Sequence, residues 1–178
     1  MNLGVDVFSG SVTPPGYQPG MGLRPGRERP EIQALIPALF AAMYDSIAAH
    51  SRHGLNVIAD VDHHDAYARP LGVLAECARR LEDLPAMFVG VRCPLKTILE
   101  RRDATWPGWR VGLPTVPTPA GDIPEPVLRW QDEVHQPGIY DLEIDTSTMS
   151  PEQCASVIVR RLQHGPAPTA LHQLAAIE

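Results

Sequence analysis

Alternation of short apolar runs with helically patterned segments predicts an α/β fold for this 178-residue chain, with a parallel sheet covered by helices on both faces. Three observations carry the prediction. Apolar runs recur at Leu3–Val7, Leu55–Asp60, Ala86–Val91 and Tyr140–Ile144. The stretches between them place apolar residues at the spacing of an amphipathic helix. Three of the runs lead into a carboxylate, at Asp6, Asp60 and Asp145, and the remaining one leads to Arg92. In parallel sheets ligands bind beyond the carboxyl ends of the strands, so this convergence predicts a catalytic cleft.

Each element has a local reason. Leu3-Gly4-Val5-Asp6-Val7 reads as a short buried strand. Residues 9–30 hold five glycines and five prolines with almost no periodicity, which reads as a long loop. From Glu31 to His50, Ile32, Leu35, Ile36, Leu39, Phe40, Met43 and Ile47 follow helical spacing, with Gly54 as the stop and a kink expected at Pro37. The strand Leu55–Asp60 is followed by a polar turn, Asp62-His63-His64-Asp65. Leu71, Leu74, Ala75, Ala78 and Leu81 mark the next helix. The strand Ala86–Val91, then Arg92-Cys93-Pro94, precedes a helix through Arg102. A second proline-rich loop spans 103–126, a helix spans Val127–Gln136, and the last strand is Tyr140–Ile144. Ser150-Pro151-Glu152-Gln153 has the form of a capping box with proline at the first helical position. Past Gly165 the tail is expected to carry at most a short, weakly docked helix.

Composition bounds the function. A net charge of −6 argues against a nucleic-acid binder, whose footprint is basic. No apolar run approaches the roughly 20 residues that span a bilayer, and residues 1–10 lack the basic start of a signal peptide. Cys77, Cys93 and Cys154 are scattered and odd in number, which favours reduced thiols and a cytoplasmic location. Lys96 is the single lysine among fifteen basic residues, and it follows Leu95 rather than glycine. No G-x-x-x-x-G-K-[ST] phosphate loop is therefore present in these residues.

Val89-Gly90-Val91-Arg92-Cys93-Pro94, the segment Val134-His135-x4-Tyr140-Asp141-x-Glu143-x-Asp145-Thr146, and Gly4-Val5-Asp6 together resemble chloramphenicol phosphotransferase and its relatives, small antibiotic kinases of the P-loop class. The resemblance runs from about Leu3 to Leu162. It implies a P-loop kinase-like three-layer sandwich that here lacks its first βα unit, and ATP-dependent phosphorylation of a hydroxyl on a small molecule. ATP and Mg2+ would be the cofactors. Asp6 matches the catalytic aspartate that accepts or orients the acceptor hydroxyl proton. Asp60 matches the carboxylate that holds magnesium through water, although many relatives have two adjacent acids where this chain has Asp60-Val61-Asp62. Arg110 is the best match to a lid arginine that neutralises the transferred group. Arg101 and Arg102 flank the same lid, and the Asp145-Thr146-Ser147 turn would contact the nucleotide. His135, beside Gln131, reads as structural. The lid departs from the family in its two tryptophans and many prolines, which leaves the acceptor unidentified.

On this reading residues 1–164 form one kinase-like domain, with loop 9–30 shaping the acceptor pocket and loop 103–126 as the lid; residues 165–178 form a tail. The expected partner is a hydroxylated small molecule, with no nucleic acid and no membrane, and homo-oligomerisation is left open. The absent phosphate loop leads to the expectation that the natural chain starts upstream of Met1, with roughly 30 further residues, a strand, loop and helix. Two alternatives stay open. One is a catalytically dead binding remnant. The other is a metallohydrolase in which Asp62, His63, His64 and Asp65 bind zinc or manganese and activate water.

Overall fold

A computed structural model describes residues 1–14, 30–66, 70–119 and 121–177. The chain is α/β with a small parallel sheet, and it divides into two compact units, Met1–Ala86 with Leu171–Glu178, and Met87–Ala170.

In the first unit the chain start runs parallel to residues 58–60. Ile58 N–H donates to the Met1 carbonyl (2.8 Å), Leu3 N–H to Ile58 (3.0 Å) and Val5 N–H to Asp60 (2.9 Å). The two strands expected here thus shrink to one bridge, Asn2 with Ile58. Among the described residues, the chain start is the only strand neighbour of segment 55–60. Helix α1 (Val5–Val12) starts at once, which corrects two expectations. Asp6 lies in the first turn of a helix instead of at a strand end, a position where the helix dipole favours an acid. Residues 9–12 are helical, and 15–29 of the expected loop lie outside the described residues.

A 3-10 turn (Pro30–Leu35) leads into α2 (Ile36–Arg52). Pro37 does not kink this helix; it sits in the first turn, where its missing N–H has no intrahelical role. Ile36, Phe40, Met43, Tyr44, Ile47 and Ala48 form the buried stripe of α2, which packs on α3 (Val73–Leu81) through Val73, Cys77, Ala78 and Leu81. At the surface Arg80 Nη1 of α3 donates to the Asp45 carboxylate of α2, and Arg52 Nη2 of α2 donates to the carboxylate of Asp83 in the turn after α3. The tail helix α7 (Ala170–Ala175) is firmly seated, against expectation. Leu174 is fully buried, Leu171 nearly so, and Arg79 of α3 donates to the Ala175 carbonyl (2.8 Å).

In the second unit β1 (Val89–Arg92) pairs in parallel with β4 (Leu142–Asp145), in a register from Val89 opposite Leu142 to Arg92 opposite Asp145. Asp141 ties down this unit: its carboxylate accepts the N–H groups of Phe88 (2.9 Å), Thr169 (2.6 Å) and Ala170 (3.0 Å). Helix α4 (Leu95–Thr105) carries Lys96 exposed on its first turn, within 3.9 Å of Glu100. Segment 103–126 is not a plain loop. After the end of α4 and a turn it forms an antiparallel hairpin, β2 (Thr115–Thr118) with β3 (Gly121–Pro124). β-Branched Thr115, Val116, Thr118 and Ile123 suit strands, and Gly121 supplies the positive φ (107°) next to the turn. Helix α5 (Glu125–Glu133) follows directly with Pro126 in its first turn. Helix α6 (Pro151–His164) starts with the expected capping box: Ser150 Oγ accepts Gln153 N–H and Gln153 Oε1 accepts Ser150 N–H. Among the described residues no helix is long and apolar enough to cross a membrane.

Removing the side chain that seats the tail should be costly. Leu174→Ala is expected to lose about 2–5 kcal/mol in urea denaturation, whereas Leu162→Ala on the exposed face of α6 should stay within about 0.5 kcal/mol of wild type.

Candidate functional site

The acidic group of the first unit is built by the pairing of the chain start with residues 58–60. That pairing puts Gly4 against Asp60 so closely that a Cβ on Gly4 would lie 1.6 Å from Asp60 Oδ1. Only glycine leaves the carboxylate room there. One turn of backbone further on, Asp6 stands at the start of α1, and both Asp6 and Asp60 act electrostatically on Asp62. Asp62 is largely shielded from water, and its Oδ1 has no hydrogen-bond partner among the described residues. Burial, first, and then the charges of Asp6 and Asp60 push the Asp62 carboxyl up to about 7.

The adjacent residues are not a metal cluster. His63 is buried, shares a 2.8 Å hydrogen bond with the Tyr44 hydroxyl through Nε2, and lies 4.6 Å from the Phe40 ring. Burial, then the neighbouring His64, lowers it to about 3, so it stays neutral. The same burial holds the Tyr44 hydroxyl well above its ordinary value. The Asp65 carboxylate is occupied by the N–H groups of Leu71 (2.8 Å) and Gly72 (3.2 Å), ahead of α3. Among the described residues no group of three or more histidines, cysteines or acids is arranged to hold a metal ion. The hydrolytic alternative fails for this reason: Asp62, His63, His64 and Asp65 do not converge.

Magnesium is a different case, because it takes one or two carboxylates and completes its shell with water and phosphate. The Asp60 carboxylate, set against the Gly4 backbone, is an oxygen donor of the kind that fits such an ion.

The remaining expected site residues lie in the second unit. Arg101 donates to Thr146 through Nη1 to Oγ1 (3.1 Å) and through Nη2 to the carbonyl oxygen, and Cys93 Sγ is 3.6 Å from Nη1. Asp145 accepts the Ser147 N–H (2.8 Å) and hydroxyl (2.7 Å), which hold its carboxyl below the usual range. Arg101, Asp145 and Thr146 are thus brought together. Arg102 belongs to another group: its guanidinium lies 5.1 Å from the Trp109 ring, and that of Arg110 lies 4.9 Å from it. Arg110 is paired with Asp103, Nη2 to Oδ2 at 2.7 Å and Nε to Oδ1 at 3.1 Å.

His135 serves the structure, as expected. Its Nδ1 is 2.9 Å from the Tyr140 hydroxyl, and the Tyr140 ring lies over Gly90, where a Cβ would approach within 2.8 Å. Arg92 stacks on Tyr140 and pairs with Glu143 at 2.7 Å. Two roles were not legible in the sequence. Asp62 was read as the second acid of an Asp-x-Asp pair and as a candidate metal ligand, but nothing in the chain marked it as the shielded acid. Asp103 lay seven residues from Arg110, a spacing that becomes a contact only when the turn folds.

Asp62 and His63 should leave a signature in stability. In the unfolded chain, between about pH 4 and 6.5, the histidine holds a proton and the acid does not. In the folded chain the acid holds it and the histidine does not. The proton count is equal, so this pair contributes no pH slope in that window. Asp62→Asn leaves only the lowered histidine, whose contribution is lost as pH falls. Stability relative to wild type should then rise with pH by about 1.4 kcal/mol per unit. His63→Gln leaves only the raised acid, and the slope should reverse to about −1.4 kcal/mol per unit. Urea denaturation from pH 4 to 7 measures both, and parallel profiles for the three proteins would refute the proton placement.

Comparison with known proteins adds the family. Searches of curated proteins and of solved structures give no match. The family model described as chloramphenicol phosphotransferase-like protein matches residues 1–163, almost the whole chain, including both groups of site residues. The chain belongs to the chloramphenicol phosphotransferase-like protein family.

Proposed function

We propose that this protein is an ATP-dependent kinase that phosphorylates a hydroxyl of a small molecule. The observation that carries the reading is the grouping of Asp6 and Asp60 about Asp62 in a chain of this family. Asp6, exposed at the start of α1, is the group that takes or orients the acceptor hydroxyl proton. Asp60 would hold magnesium through water, and the ion supplies charge neutralisation on the phosphates. Arg110 neutralises the transferred group, while Arg101, Arg102, Asp145 and Thr146 form the nucleotide side. Asp62, neutral below about pH 7, offers a hydroxyl donor beside two carboxylates and lowers the repulsion between them.

The phosphate cradle is the part these 178 residues do not contain. The wider fold on this reading is a three-layer P-loop kinase sandwich, and β1 is free for further pairing, since β4 is the only strand paired to it among the described residues. A two-stranded parallel sheet is otherwise unusual, since parallel strands normally lie buried within larger sheets. The absent phosphate loop also favours a second reading, a remnant that binds the acceptor without transferring phosphate.

Transfer of the terminal phosphate from ATP to a panel of hydroxylated compounds, chloramphenicol among them, tests the proposal in protein of verified intact mass from its native source. Asp6→Asn should reduce kcat by about 10²–10⁴-fold with unchanged thermal stability. Gly4→Ala, which displaces the Asp60 carboxylate, should raise the magnesium concentration needed for half-maximal rate. Acceptor binding with neither nucleotide binding nor transfer would sink the kinase reading and leave the remnant.

A further inference from the structure

The geometry points to Asp103 as a positioning residue that holds Arg110 in reserve and yields it to an incoming phosphate. This rests on the reading of Arg110 as the arginine that meets the transferred group. Asp103 lies on the last turns of α4 and Arg110 in the turn after it, and the two form a fork-to-fork pair. A guanidinium presents its parallel N–H groups to a carboxylate or to a phosphate in the same way. Asp103 therefore occupies the two donors that a phosphate would use, and Arg110 cannot engage both fully.

The surroundings suit an exchange. Both side chains reach solvent, at 38% for Arg110 and 52% for Asp103, so the pair opens without uncovering a buried charge. An exposed pair of this kind holds weakly in water, whereas a multiply charged phosphate makes stronger charge-assisted bonds. Trp109 is the fixed point. It is only 7% exposed, and its Nε1–H donates to Asp103 Oδ1 at 2.9 Å, so the carboxylate keeps a partner when Arg110 leaves. Gly108 (φ 78°) and Gly112 (φ 74°) bracket Trp109 to Val111 and have open space or only a marginal contact at the Cβ position, which gives the turn two natural pivots. Arg102 keeps a second guanidinium 5.1 Å from the Trp109 ring when Arg110 leaves.

Calorimetric titration of pyrophosphate into the full chain tests the exchange. Asp103→Asn keeps an oxygen for Trp109 Nε1–H but removes the competing charge, and should tighten pyrophosphate binding by about fivefold. Asp103→Glu restores the charge and should stay within about twofold of wild type. Arg110→Ala should weaken binding by at least about tenfold. Equal affinity of wild type and Asp103→Asn, with binding still lost in Arg110→Ala, would overturn the competition while keeping Arg110 as a phosphate ligand. Binding indifferent to Arg110→Ala would overturn it by removing Arg110 from the phosphate site; the kinase reading itself is judged separately, by the Asp6→Asn transfer assay.

Discussion

Three backbone hydrogen bonds between the chain start and residues 58–60 organise the acidic site. They set the parallel bridge of Asn2 with Ile58, and the bridge brings the Gly4 backbone under the Asp60 carboxylate. They also fix where α1 begins, because Val5 N–H is already committed to Asp60 while Phe8 N–H turns back to the Gly4 carbonyl at 2.9 Å. Asp6 stands where it does as a result. A change of register by one residue would turn Asp60 to the other side of the backbone and leave Asp6 without its neighbour. The acidic group thus depends on a short piece of parallel pairing rather than on a large sheet.

Grouping three carboxylates carries an electrostatic cost, and the fold meets it with a proton. Asp62, the most shielded of the three, takes the neutral form below about pH 7, which reduces repulsion with Asp6 and Asp60. His63, at the next position, stays uncharged among Phe40 and Tyr44 and supplies no compensating charge, which leaves the proton on Asp62 as the relief. A polar tetrad that suggests a metal site is divided by folding into separate tasks. One acid holds a proton, one histidine pairs with a tyrosine, and Asp65 secures the backbone before α3. The physical reason is reach: neighbouring residues on an extended segment point in different directions and do not meet at one ion.

The second unit shows the same economy in its aromatic residues. Tyr140 presses on Gly90 and is held by His135 and Arg92, so the segments by which the family is identified include a structural clasp. Trp109 gathers Asp103, Arg102 and Arg110 into one cluster at the end of α4 and the turn after it. The prolines of that segment do not make it formless. Pro117 and Pro124 sit on strands of a two-stranded hairpin, whose edges tolerate a missing donor.

Much was determined by local sequence. The helical periods of α2 and α3, the capping box at Ser150 and the run through Val91 are short-range properties, and they appear close to where the spacing put them, with residues 30–35 wound as a 3-10 turn and the strand set at Val89–Arg92. The family was legible for the same reason, since its segments are contiguous. Strand length, in contrast, was decided by tertiary structure, because a strand extends only as far as a neighbour accepts its hydrogen bonds. Leu3–Val7 and Leu55–Asp60 had the composition of strands and formed only a bridge. The seat of α7 depended on residues distant in sequence, and Leu174 is fully buried there. Which carboxylate becomes neutral, and which one claims Arg110, were likewise invisible in the chain. Burial and charge proximity decide both, and they exist only once residues far apart in sequence have met.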